Sequence, residues 1–235
     1  MLEIKNLVLA YGVNRVVRDV SFSVAKGEVF ALLGPNGAGK TSILRAISGL
    51  VPAVSGDIVF EGKTLLRRRP HSIVLDGIAH VPEGRQIFPE MSVSDNLMVG
   101  ATVHINNRAR VRELEARCLE LFPIIRERAR QAGGTLSGGE QQQLTIARGL
   151  MADPRLLIVD EPTLGLAPAI INTVADSFRK LRDLGLTIIV AEQNADFALK
   201  VADHGAVLAS GELSFSGSVD TLRDRDVLRR AYLGA

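Results

Sequence analysis

The run Gly34-Pro35-Asn36-Gly37-Ala38-Gly39-Lys40-Thr41 reads G-x-x-x-x-G-K-[ST]. Its glycines let the backbone curl until several N–H groups converge on phosphate oxygens. The helix expected to follow adds the positive end of its dipole at the same point. Lys40 can reach β- and γ-phosphates, the Thr41 hydroxyl can ligate Mg²⁺, and Ser42 follows in the same turn. The plainer reading is an ordinary glycine-rich strand-to-helix turn. It is disfavoured by the apolar strand Val29–Leu33 that enters the motif and the helical Thr41–Leu50 that leaves it.

Two further clusters suit the same chemistry. Leu156-Leu157-Ile158-Val159 is a buried strand ending in two acids, Asp160 and Glu161. Ligands of open α/β sheets bind at that end of a strand. Asp160 is expected to hold Mg²⁺ through water, and Glu161 to serve as the general base that orients the attacking water. Leu136-Ser137-Gly138-Gly139-Glu140-Gln141-Gln142 opens a helix, with Ser137 and Glu140 at capping-box spacing. Gly138 and Gly139 bare the backbone at the positive end of that helix, which makes a second anion site. One chain has little use for two separate sites on one γ-phosphate; two chains packed head to tail can share them.

The rest of the chain must hold these groups in place. Strand-like segments at Leu7–Ala10, Val16–Val24, Glu28–Leu33, Gly56–Phe60, Gly77–Val81 and Thr187–Val190 alternate with helical ones at Ala169–Leu184 and Asn194–Ala202. Gly205–Ser216 reads as a hairpin turning at Ser210-Gly211. This alternation predicts an α/β fold with a mostly parallel sheet covered on both faces. Residues 84–152 read as a helical lobe inserted into it. Within that lobe Val111, Leu114, Cys118 and Leu121 recur at helical spacing, which makes Cys118 a core residue and not a nucleophile. Seven Arg and four Glu between positions 108 and 130 read as a solvated helix face and not as a binding patch.

Composition excludes several classes. With 46% hydrophobic and 23% charged residues over 235 positions, the chain is globular and not disordered. One Cys cannot form an internal disulfide, which suits a reducing compartment. A net charge of +2 advertises no nucleic-acid partner. No run approaches the roughly 18 apolar residues of a membrane span. The opening Met1-Leu2-Glu3-Ile4-Lys5 lacks the pattern of a secretory leader.

The three clusters, in this order and spacing, resemble the Walker A, signature and Walker B motifs of ABC-transporter nucleotide-binding subunits, over essentially the whole chain. The resemblance implies a P-loop NTPase with a RecA-like core (1–83 and 153–235), an antiparallel β subdomain and the helical lobe 84–152. It implies ATP and Mg²⁺ as cofactors. It places Tyr11 against adenine, Ser137 and Gly139 on the γ-phosphate held by a partner's P-loop, and Leu164-Gly165-Leu166-Ala167 in the loop that communicates across the dimer. Two positions depart from the general pattern. Glu83 follows Ala79-His80-Val81-Pro82 where Gln is usual, and Gln193 stands where a switch His is usual. A carboxylate at 83 still suits Mg²⁺ or water. Gln193 can position the γ-phosphate and water but cannot carry a proton near neutral pH.

Val81-Pro82-Glu83-Gly84-Arg85-Gln86-Ile87-Phe88-Pro89, Leu164-Gly165-Leu166-Ala167-Pro168, Glu192-Gln193-Asn194-Ala195 and the ending 227–234 are similar to the smaller ATP-binding subunit of branched-chain amino-acid importers. That resemblance implies a peripheral subunit on the cytoplasmic face of a bacterial inner membrane. Its implied partners are a second ATP-binding subunit, two permease subunits docking at a groove in 84–100, and, indirectly, a periplasmic binding protein. Importers for urea, amides or aromatic acids use very similar subunits. A soluble non-transport ATPase of the same fold is the other alternative, although such proteins usually carry coiled-coil insertions or fused cassettes.

Overall fold

The structure is a computed structural model that describes residues 1–224, 227–229 and 232. Positions 230, 231, 233 and 234 of the ending quoted above therefore lie outside the described residues. Two sheets share the work. The first is antiparallel, with order β2 (Asn14–Val24), β1 (Leu2–Tyr11), β4 (Ser55–Phe60) and β5 (Lys63–Thr64). The second has order β10 (Glu212–Ser218), β9 (His204–Ala209), β3 (Val29–Leu33), β8 (Thr187–Glu192), β7 (Leu156–Asp160) and β6 (Ile78–Val81). It is parallel throughout except for the β9–β10 hairpin at its edge. That hairpin turns where the sequence suggests, with Ser210 and Gly211 both at positive φ (50° and 84°), the signature of a tight primed turn.

The strands β3, β7 and β8 are buried along their whole length, as unbroken apolar runs demand when both faces of a parallel sheet are covered. Val29, Ala31 and Leu33 face one core, while Phe30 and Leu32 face the other. The first core is closed by α7 (Pro168–Asp183), α8 (Ala195–Val201) and α6 (Gly138–Leu150). The second is closed by α1 (Lys40–Ile47) and the antiparallel sheet, where Phe22 stacks on Phe30 with ring centroids 5.0 Å apart.

β1 is longer than the alternation in its sequence suggests. Asn6 sits at φ 47°, and the pairing with β2 slips between Ile4 and Leu7. This bulge shifts the phase of the inward side chains, so Leu2 and Ile4 alternate out of step with Leu7 and Leu9 although all four are buried.

Between β6 and β7 every described element is helical: α3 (Val93–Val99), a 3₁₀ turn at Gly100–His104, α4 (Arg108–Leu121), α5 (Pro123–Glu127), a 3₁₀ turn at Gly133–Thr135, and α6. Short α2 (Pro70–Leu75) precedes β6, and α9 (Val219–Leu222) closes the hairpin. Leu114 and Cys118 lie in the core, and burial pushes the Cys118 thiol up to about 12, which leaves it inert as a nucleophile. No described helix is long and apolar enough to cross a membrane.

Helix α7 anchors the first core. Val174, Phe178 and Leu181 are buried on one face, and Phe178 meets Phe197 of α8 edge to face at 5.7 Å. The substitution F178A is expected to cost about 3–5 kcal/mol, lost packing plus a cavity, as read by urea denaturation. A cost below about 1 kcal/mol would mean that α7 does not hold this face.

Candidate nucleotide site

Three adjacent parallel strands end together. Leu33 pairs with Glu192, and Asp160 pairs with Ala191, so the carboxyl ends of β3, β8 and β7 form one ledge. From this ledge Gly34 starts the curled loop. A Cβ at Gly34 would collide with the Leu208 carbonyl oxygen, and Gly39 adopts φ 108° against the Val16 backbone. Only glycine serves both positions. Within the loop Ala38 N–H donates to Pro35 O (3.2 Å), Gly34 and Ala38 are buried, Pro35 is half-buried, and Asn36 and Gly37 are exposed. The first helical residue of α1 is Lys40 itself, followed by Thr41 and Ser42.

Lys40 is 4% exposed and fully engaged. Its Nζ donates to Gly34 O (2.8 Å) and Pro35 O (3.2 Å), and pairs with Glu161 Oε1 at 3.0 Å. Glu161 is held at φ 46°, a left-handed conformation uncommon for a residue with a side chain. Its N–H donates to Ala191 O (2.9 Å), and its Oε2 accepts from Gln193 N–H (3.3 Å). The Gln193 side chain is exposed at the rim.

Asp160 lies deepest. Burial pushes its carboxyl up to about 6. The charges of Glu161 and Glu83 add to the rise, while a hydrogen bond with the Thr41 side chain and the charge of Lys40 oppose it. Its Oδ1 is buried without a hydrogen-bond partner. A buried, orphaned carboxylate oxygen beside a hydroxyl fits a hard divalent cation such as Mg²⁺. Among the described residues no cluster of three His, Cys, Asp or Glu could cage an ion alone, so an ion here would draw further ligands from phosphate and water.

A cavity of about 350 Å³ opens over the loop, lined by Gly37–Ser42, Glu83, Glu161 and Leu164 among others. Exposed Glu83 thus lines the same cavity as Lys40. Tyr11, at the end of β1, is 46% exposed, and the Ser42 hydroxyl reaches its phenol oxygen at 3.5 Å. The turn Ser137-Gly138-Gly139 lines no part of this cavity. There the capping box is formed: Glu140 N–H donates to Ser137 Oγ (3.4 Å), and Ser137 N–H donates to Glu140 Oε2 (2.7 Å); hydrogen bonding from the Ser137 side chain, then from its backbone, holds the Glu140 carboxyl below its usual range. Ser137 is exposed and Gly138 half-buried, but Gly139 is buried, and a Cβ there would collide with Ile170 of α7. Gly139 is therefore required by packing as well as by any anion.

Three residues joined to this site stand above only inside motifs (Arg85, Glu192) or inside the ending 227–234 (Tyr232). Arg85, itself at φ 62°, donates to Leu164 O (3.0 Å), and its guanidinium fills the space above Gly138. The Tyr232 hydroxyl donates to Gln193 O (3.3 Å), and burial, then the charges of Glu161 and Glu192, push that phenol up to about 12. Glu192 is 1% exposed and accepts backbone N–H bonds from Thr163 and Asn194. Burial, helped by the charge of Glu161, raises its carboxyl above the usual range against the pull of hydrogen bonds from the Thr163 side chain and from the Asn194 and Thr163 backbone. The one hint in the sequence is an acid closing an otherwise apolar strand.

A curled glycine loop, an engaged lysine and a buried acid at one sheet ledge define a P-loop nucleotide-binding site. Residues 17–164 match the ABC transporter family model, and the chain belongs to that family. It is 42% identical over 234 residues, covering all of both chains, to the high-affinity branched-chain amino acid transport ATP-binding protein BraG of Pseudomonas aeruginosa. It is 35% identical to the lipopolysaccharide export system ATP-binding protein LptB of Escherichia coli, over 99% of this chain and 97% of that one. Among solved structures, an ATP-binding cassette of an ABC transporter in its ADP conformation matches with TM-score 0.87 and 28% identity, over 100% of this chain and 99% of that chain. The chain is an ABC-transporter ATP-binding subunit and an ATPase.

Asp160 gives a pH test on the metal-free protein. Folded, it keeps its proton to about pH 6; an unfolded Asp loses it near 3.8. Between these values the native state binds the proton more tightly, so this residue's contribution to stability falls as pH rises through the window. The D160N variant escapes that loss. In urea unfolding its advantage over the parent should grow from near zero at pH 4 to about 2–3 kcal/mol at pH 7.5. A pH-independent difference would contradict the raised carboxyl.

Proposed function

We propose that this chain is the ATP-hydrolysing subunit of a bacterial importer of branched-chain amino acids, working on the cytoplasmic face of the inner membrane with two chains packed head to tail. The observation that carries the two-chain reading is the separation within one chain: the cavity over Lys40 is not lined by Ser137–Gly139. In this reading the γ-phosphate lies between Lys40 of one subunit and the Ser137–Gly139 turn of the other. Leu164–Ala167 lies at the seam between them.

The residues divide the chemistry as follows. Backbone N–H groups of Gly34–Thr41 and the start of α1 bind phosphates, with Ser42 beside them and Tyr11 offering a ring to the adenine. Lys40 exchanges Glu161 for phosphate oxygens. That exchange frees the Glu161 carboxylate, already turned toward the cavity, to accept a proton from the attacking water. The Gln193 amide orients the water and the γ-phosphate. Thr41, Asp160 and Glu83 would hold Mg²⁺, which would supply charge neutralisation to the phosphates. Loss of the γ-phosphate removes the bridge, and the difference in ATP affinity between closed and open pairs is what can move a membrane partner.

Residues 84–152 serve as the lobe that receives the permeases and residues 1–83 and 153–235 as the core. Exposed Phe88 and Met98, and a cavity of about 390 Å³ whose apolar wall (Met98, Ala101, Ile105, Val111) is edged by Arg108, Arg112 and Glu115, suit a permease helix. Full-length identity to BraG, higher than to LptB, supports amino-acid import over lipopolysaccharide export.

In the assembled transporter, K40A should abolish hydrolysis. S137R should abolish it while ATP affinity of the isolated chain stays within about twofold. S137R protein that turns over normally would refute the shared site. Calorimetry on the binding protein encoded beside this chain should show leucine, isoleucine or valine as its ligand; a urea, amide or aromatic-acid ligand, or a neighbouring export system, would replace the substrate assignment.

A further inference from the structure

We infer that Glu192 is a positioning residue for hydrolysis, whose carboxylate clips the loop carrying Glu161 to the loop carrying Gln193. The inference deepens the function proposed above and rests on Glu161 being the base.

Glu192 ends β8 at the centre of the ledge, with almost no exposure. Its two oxygens serve different loops. Thr163 N–H donates to Oε1 at 2.9 Å, and Asn194 N–H donates to Oε2 at 3.1 Å. Its own carbonyl accepts from Gly34 N–H at 3.3 Å. One residue therefore touches the beginnings of three loops: the one that leaves β3, the one carrying Glu161 and the one carrying Gln193.

The Thr163 bond matters because of what lies beside it. Thr163 is buried inside a turn closed by Leu164 N–H donating to Glu161 O at 3.2 Å. That turn holds Glu161 in its left-handed conformation. Such a conformation persists only where the surroundings over-determine it. Backbone bonding from Ala191 fixes one side of the turn, and the Glu192 carboxylate fixes the other. The Asn194 bond does the same for the switch loop, one residue past Gln193. The two residues assigned to the attacking water thus have their backbones set by one rigid group.

Only glutamate supplies this. A glutamine offers one acceptor oxygen and turns an NH₂ toward the second N–H donor. An aspartate is one methylene short of spanning both donors. An apolar residue would fill the strand end without burying a charge but would leave two backbone donors unpaired. The Glu192 side chain lines no part of the cavity over Lys40, so ATP binding does not depend on it directly.

The test compares parent, E192Q, E192D and E161Q as the assembled transporter, reading kcat and KM for ATP, Kd for a fluorescent ATP analogue, thermal unfolding, and hydrogen exchange of the peptide spanning 161–166. E192Q is expected to lower kcat tenfold or more, with KM and Kd within twofold and Tm within a few degrees. Exchange in 161–166 should quicken while peptides of β3 and α1 stay unchanged. E192D keeps the charge and should show the same pattern, which covers the case of a poorly folded E192Q protein. If kcat of the folded variants stays within twofold of the parent, or falls only together with ATP affinity and Tm, the clip is overturned and Glu192 is merely structural. If E161Q retains full turnover, the assignment of the base fails instead, and the two failures are distinguishable because E161Q is assayed alongside.

Discussion

The parallel register of β3, β8 and β7 is the constraint on which the rest depends. It brings Gly34, Glu192 and Asp160 to one buried ledge, and with them Glu161 and Lys40. Asp160, Glu161 and Glu192 are three acids on this ledge, and Glu161 is the one paired with Lys40. Burying such a set costs free energy unless each member is bonded. The structure meets that demand unevenly. Glu161 has Lys40 and a backbone N–H, and Glu192 has two N–H donors, but one Asp160 oxygen has nothing. An ion bound at the unmet oxygen would add to the stability of the folded chain.

The same ledge explains why the candidate site and backbone strain coincide. Glu161 in a left-handed conformation, and Arg85 and Gln86 likewise at positive φ beside Glu83, are conformations that local sequence would not choose. Each is held by bonds from another element: Glu161 by β8, and Arg85 by its guanidinium on Leu164 O and by Thr145, whose hydroxyl donates to Arg85 O at 2.9 Å. The loops around the cavity are therefore tied to each other across the sheet ledge and to helix α6. A shift in one is felt as a lost bond in the next.

Much of this was legible in the sequence because the phosphate loop, the two acids and the capped glycine turn are contiguous, and their spacing reports local geometry directly. The apolar runs 29–33 and 156–159 predict fully buried parallel strands, and the Ser210-Gly211 turn predicts its hairpin, for the same local reason. What escaped was non-local. Glu192 reads as the end of a strand until Thr163, 29 positions away, is seen to donate to it. That Gly139 is also packed against Ile170 was equally hidden, because the two lie 31 positions apart. The bulge at Asn6 hid the first half of β1 because it breaks the two-residue period by which strands are recognised. Tyr232 meets Gln193 through the fold alone.

The central claim is that one chain carries two halves of different sites, and that neither half completes the chemistry on its own. The most direct measurement is an experimental structure of the transporter carrying the E161Q chain, which this account expects not to hydrolyse ATP, trapped with ATP and Mg²⁺. The account predicts each triphosphate at the seam between two ATP-binding subunits, its γ-phosphate touched by the lysine of one and the capped glycine turn of the other. A triphosphate wholly enclosed by a single subunit, with the facing turn empty, would contradict it.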